Sequence, residues 1–60
     1  MEVTYYIKQP SEKLYLSSKG KWEEYWYKED FNSEEEALLF AYQHLKSSQD
    51  FVIVKIYTKK

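Results

Sequence analysis

The chain alternates between two hydrophobic periods. VTYYIK, residues 3 to 8, sets Val3, Tyr5 and Ile7 against Thr4, Tyr6 and Lys8, a period of two that predicts a strand. Gln9-Pro10-Ser11-Glu12 interrupts it with turn chemistry, Pro10 fixing φ and lacking an N–H. KLYLS, residues 13 to 17, alternates again, with Leu14 and Leu16 on one side and Tyr15 on the other. Ser17 to Lys21 contains the single glycine, Gly20, at the point where a tight turn needs φ > 0. WEEYWYKED, residues 22 to 30, predicts a third strand, and Glu23-Glu24 place it at an edge or delay its start to Tyr25. Both of its faces are aromatic, so its parity stays open.

The period then changes to that of a helix. Ser33 with Glu36 three residues on is a capping box, and Glu34, Glu35 and Glu36 lie at the positive end of the helix dipole. The helix is predicted from Glu34 to about Lys46, ending in Ser47-Ser48-Gln49-Asp50. At 100° per residue, Ala37, Leu38, Ala41 and Leu45 share one face, Phe40 and His44 flank it, and Leu39 points away. FVIVKIYT, residues 51 to 58, is a strand whose apolar character on both sides predicts a central position. Lys59-Lys60 follows it.

These elements predict one α+β domain over residues 1–60: a three- to four-stranded antiparallel sheet in the order β-β-β-α-β, with one helix packed on one face. Ala37 and Ala41 allow close approach to that face. Val52, Val54 and Ile56 are the predicted partners, beside Val3, Tyr5, Ile7, Leu14 and Leu16. The face without a helix is predicted to carry Tyr6, Tyr15, Phe51, Ile53 and Tyr57.

Composition narrows the function. Sixty residues make one small domain with a small core. With no cysteine and one histidine, His44, neither a disulfide nor a structural zinc can staple it, and no cofactor is implied. MEVTYYIK has no basic segment followed by an apolar one, and no apolar run approaches a membrane span. The expectation is a soluble, cytoplasmic protein with no membrane partner. A catalytic carboxylate pair needs a cleft that shifts its pKa values, and a single-layer fold of this size offers little concavity. No Gly-rich loop, H-E-x-x-H or G-x-S-x-G occurs. The expectation is a non-enzyme.

Aromatic residues make up 20% of the chain, seven of them Tyr, more than so small a core can enclose. Tyr on an uncovered sheet face is how several single-strand binders stack bases, so a single-stranded nucleic-acid binder is one reading. Electrostatics oppose it. The net charge is -1, all nine basic residues are Lys, and they are scattered. The alternative is a protein-binding surface: Tyr6, Tyr15, Trp22, Tyr25, Tyr27 and Tyr57 as rings, Leu39 beside them, and Glu23, Glu24, Glu29, Asp30, Glu34 and Glu35, extended by Glu36, as a negative rim. Aromatic anchors with a one-sign rim suit a partner with a basic surface. An exposed edge also permits a homodimer or an oligomerising structural module.

Two resemblances bear on this. The run from Trp22 through Phe31-Asn32-Ser33-Glu34-Glu35-Glu36-Ala37 resembles the strand-to-helix junction of the N-terminal DNA-binding domains of phage and transposon integrases. Those domains are strongly basic where this chain is acidic. Ser33-Glu34-Glu35-Glu36-Ala37-Leu38, Ala41 and Phe51-Val52-Ile53-Val54-Lys55-Ile56 are similar in layout to small phage-encoded host-enzyme inhibitors, such as those directed at host RNA polymerase in T-odd coliphages. That likeness covers the second half of the chain and carries over no contact residue. It implies a small phage or mobile-element protein that binds and inhibits a host nucleic-acid-handling enzyme.

Overall fold

A computed structural model describes residues 2–45 and 49–58. The predicted helix end at Lys46, the Ser47-Ser48 stop and the Lys59-Lys60 tail lie outside them. The order is β1 (Glu2–Lys8), β2 (Tyr15–Leu16), β3 (Trp22–Glu23), a 3-10 turn (Tyr25–Tyr27), α1 (Glu34–His44) and β4 (Val52–Thr58). The four strands form one antiparallel sheet in the spatial order β3-β2-β1-β4, with α1 across one face. The predicted α+β architecture is therefore the observed one.

The helix starts where its local chemistry says it should. The Ser33 hydroxyl accepts from the Glu36 N–H at 3.2 Å, and the Glu36 carboxylate accepts from the Asn32 N–H at 3.4 Å. Ala37 and Ala41 are fully buried against Ile7 and Leu16, which are also fully buried, and Phe31 completes the core. Two methyl-sized side chains bring the helix axis close to the sheet, so two large aliphatic residues suffice beneath it. Phe40 and Leu45 flank this core, while Leu39 points outward.

Gly20 has φ +76, the left-handed geometry its turn requires. A Cβ there would lie 2.5 Å from the His44 ring, so the same glycine lets the end of α1 rest on the β2–β3 turn. His44 stacks on Phe40 with centroids 4.1 Å apart, and Phe40 lies on Phe31 at 5.2 Å. The lone histidine is therefore part of a ring stack that ties helix to turn.

Three expectations are corrected. β4 is an edge strand, because β1 holds β2 on one side and exchanges its whole length with β4 on the other. The side-chain parity of β4 is also inverted. Ile7 pairs with Ile53 and Tyr5 with Lys55, which puts Phe51, Ile53, Lys55 and Tyr57 on the helix side. Val52, Val54 and Ile56 share the opposite face with Thr4, Tyr6 and Lys8. Both parities of β4 offer three apolar side chains, so hydrophobic pattern cannot choose between them, and a shift of one residue inverts every position. The third strand, finally, stops after Glu23. In a strand, Tyr25 and Lys28 would point to opposite faces. In the 3-10 turn, with three residues per turn, they eclipse and cover the same ring of Tyr6. Isolated bridges from Lys28 to Ser17 and from Phe31 to Tyr5 then return the chain to the sheet before the helix.

Candidate functional site

The face opposite α1 carries a compact aromatic cluster. Register places Tyr15 beside Lys8 and Glu23, hence on the same face as Tyr6. The Tyr6, Tyr15 and Tyr25 rings meet edge to face, with centroids 5.3 Å (Tyr6–Tyr15), 5.9 Å (Tyr6–Tyr25) and 5.2 Å (Tyr15–Tyr25) apart. Each such pair contributes about 0.5–1.5 kcal/mol beyond its buried area. The Lys28 ammonium sits 5.2 Å from the Tyr6 centroid and 4.8 Å from that of Tyr25, and the Asp30 carboxylate accepts a hydrogen bond from it at 2.6 Å. The 3-10 turn thus roofs Tyr6, which is only 8% exposed. Burial, followed by the neighbouring Tyr15 and Tyr25, pushes the Tyr6 phenol pKa up; Lys28 opposes that shift.

The outer side of this roof is the most exposed aromatic surface near the cluster. Trp26 is 71% exposed, Tyr27 55% and Tyr25 46%, with the Trp26 and Tyr27 rings 6.2 Å apart. Around them lie exposed Glu24 and Asp30 and half-buried Glu23 and Glu29, the last pinned by its N–H to the Leu16 carbonyl at 3.1 Å. No family model, curated protein or solved structure matches the chain.

The predicted site residues separate into two layers. Tyr6, Tyr15, Tyr25, Tyr27, Glu23, Glu24, Glu29 and Asp30 come together around the roof, although Tyr6 is enclosed rather than displayed. Trp22 pairs with Leu16, hence on the helix side, and is half-buried against the core. Glu34, Glu35 and Leu39 belong to α1, across the sheet from the tyrosines, and Tyr57 lies on the helix side of β4. A rim uniting the helix acids with the tyrosines does not form, because the sheet stands between them. Trp26 is the most exposed ring of this surface and is absent from the predicted site residues. Its signal was its place between Tyr25 and Tyr27, where three consecutive rings cannot all turn inward.

Elsewhere, Lys55 lies 5.1 Å from the Tyr57 ring centroid and 6.0 Å from that of Tyr5. A hydrogen bond with Tyr57 raises the pKa of its exposed ammonium. Gln9, Pro10, Ser11, Glu12, Trp22, Gln49 and Asp50 line an open polar groove of about 330 Å³. Among the described residues, no cluster of three or more His, Cys, Asp or Glu side chains could hold a metal, and no helix is long and apolar enough to cross a membrane.

Proposed function

We propose that this chain is a non-catalytic protein-binding module of phage or mobile-element type. It binds and inhibits a host nucleic-acid-handling enzyme through the outer surface of the 3-10 turn. The observation that carries this reading is the exposure of Trp26, Tyr27 and Tyr25 on three consecutive positions beside Glu23, Glu24 and Asp30. Rings of this kind fill partner pockets with few rotors to immobilise, and acids of one sign steer toward a basic surface. A surface that binds nucleic acid carries such charge, so an acidic module can compete for it. The Tyr6–Tyr15–Tyr25 trio weighs against base stacking, since its rings spend their faces on one another.

Capture from host lysate by the immobilised chain, read by mass spectrometry, tests this reading. The native chain retains one host enzyme and lowers its activity. The double variant Trp26→Ala/Tyr27→Ala loses that enzyme, with each ring costing about 2 kcal/mol as an interface anchor. Glu23→Lys/Glu24→Lys weakens capture and flattens its salt dependence. Equal retention by all three proteins would reject the reading.

A further inference from the structure

The unexplained feature of this fold is β4. Its sequence, VIVKIYT after Phe51, has the two-sided apolar character of a strand flanked on both sides. Yet it lies at the sheet edge, and none of its seven residues is buried, whereas β1 buries both Tyr6 and Ile7.

Its outer edge is open for pairing. Tyr5 directs its N–H and C=O away from β4, to Phe31, at 2.9 and 2.8 Å. In an antiparallel ladder this makes Tyr5–Lys55 a pair without mutual backbone bonds, so Ile53, Lys55 and Tyr57 aim their N–H and C=O outward. No backbone–backbone hydrogen bond among the described residues reaches those groups. A long apolar edge of this kind is a template for another strand.

We propose that β4 pairs antiparallel with β4 of a second copy about a two-fold axis normal to the sheet, with Val54 opposite Val54 of the partner subunit. Apolar side chains on both faces make the strand complementary to itself, which favours a second copy, and three observations bear on its register and closure. The single charge of the strand separates the two registers of greatest overlap, those centred on Lys55 and on Val54. Pairing Lys55 with the partner's Lys55 sets like charges face to face, whereas the Val54-centred register sets Lys55 against the partner's Ile53. The same register pairs Phe51 with the partner's Tyr57 on one face and Val52 with the partner's Ile56 on the other.

The second observation lies on the helix. The two-fold axis puts both helices on the same face, flanking the seam. The flank of α1 turned toward β4 carries Tyr42, 70% exposed and in edge contact with Phe51 at 6.3 Å. Its ring therefore adds area beyond the strands themselves. Third, the opposite sheet edge, β3, is two residues long. A β4-to-β3 contact that would propagate a filament has little to bind, so the β4 pairing closes as a dimer.

The chain has no cysteine, which allows a direct test by single introduced thiols. Val54 and the partner's Val54 form a pair without mutual backbone bonds, whose close Cβ atoms suit a disulfide. The expected result is that the native protein sediments at twice 7.4 kDa and falls to monomer on dilution. Val54→Cys oxidises to a covalent dimer, while Ile56→Cys, facing the partner's Val52, stays uncrosslinked over the same time. Val54→Lys, with lysines meeting at the axis, sediments as a monomer with its far-UV spectrum unchanged. If that variant does not fold, the two thiol variants decide alone. A native chain monomeric at every concentration overturns the proposal. So does a dimer that survives in folded Val54→Lys, faster crosslinking of Ile56→Cys, or capture of a foreign strand by a monomeric chain.

Discussion

The two faces of this sheet are closed by different means. On one, α1 lays Ala37 and Ala41 over Ile7 and Leu16, and all four are fully buried. On the other, Tyr6 is covered by two rings and a lysine, with Tyr25 still 46% exposed and the Lys28–Asp30 pair at the rim. The first is close packing of aliphatic volume, and the second is a half-wet cluster of rings held edge to face. A chain of 60 residues that builds one core from a helix can cover the remaining sheet only with what its loops carry. Here the loop carries aromatics, so the cover itself exposes rings on its outer side.

Truncation on each face measures the difference, and the largest effect belongs to the helix side. Leu16→Ala leaves a cavity that its close-packed surroundings cannot fill and costs about 3–5 kcal/mol. A domain of this length has roughly 3–9 kcal/mol in total, at about 0.05–0.15 kcal/mol per residue, so this one change unfolds it or nearly so. Tyr6→Ala removes more atoms but costs less, about 2–3 kcal/mol, because Tyr15, Tyr25 and the Lys28 stem can settle into the space and water is already near. Urea unfolding midpoints order the pair. A larger loss from Tyr6→Ala would mean the tyrosine cluster, not the helix seam, is the main core.

Gly20 tests how the helix end is tied to that seam. Gly20→Ala places a methyl in left-handed backbone geometry, at about 1–2 kcal/mol, and drives it into the His44 ring. His44→Ala in the same chain relieves the second cost but not the first. The double variant should therefore lose less than the sum of the two single losses, while still melting below His44→Ala alone. Strict additivity would mean that the added methyl never meets the His44 ring.

What the sequence disclosed follows the range of the forces involved. The capping box at Ser33 and Glu36, the glycine turn at Gly20 and the two-alanine helix face are local features, and each appears where the residues place it. The position and parity of β4 are set by pairing across some fifty residues with β1, and its apolar side chains on both faces remove the signal that would have chosen. The 3-10 turn is hidden in the sequence for a related reason. Alternation in Trp22 to Tyr27 looks like a strand, whereas the decisive contact is a cation over two rings that are distant in sequence. As for the candidate surface, its acids and Tyr27 are legible from composition, while Trp26 is marked only by its place between Tyr25 and Tyr27, and the turn decides that it is the ring that faces out.

The smallest effect is also the most specific to the tyrosine face. The Tyr6 phenol has its pKa raised in the folded chain, chiefly by burial and then by Tyr15 and Tyr25. In the unfolded chain it titrates near the ordinary value of about 10. Above that pH the folded state holds more protons than the unfolded state, so stability falls as pH rises. The contribution is fully present below the unfolded pKa and is lost on passing through the higher folded one. Lys28, which opposes the shift, keeps the effect modest. Tyr6→Phe leaves the ring contacts and removes the titrating group, so urea midpoints of the native and Tyr6→Phe chains should run parallel up to about pH 10 and diverge above it. The native chain should be the one that declines faster. Parallel decline of both would place the alkaline sensitivity in other groups and show that Tyr6 is open to water, which would dissolve the contrast between an enclosed ring layer and its exposed outer surface.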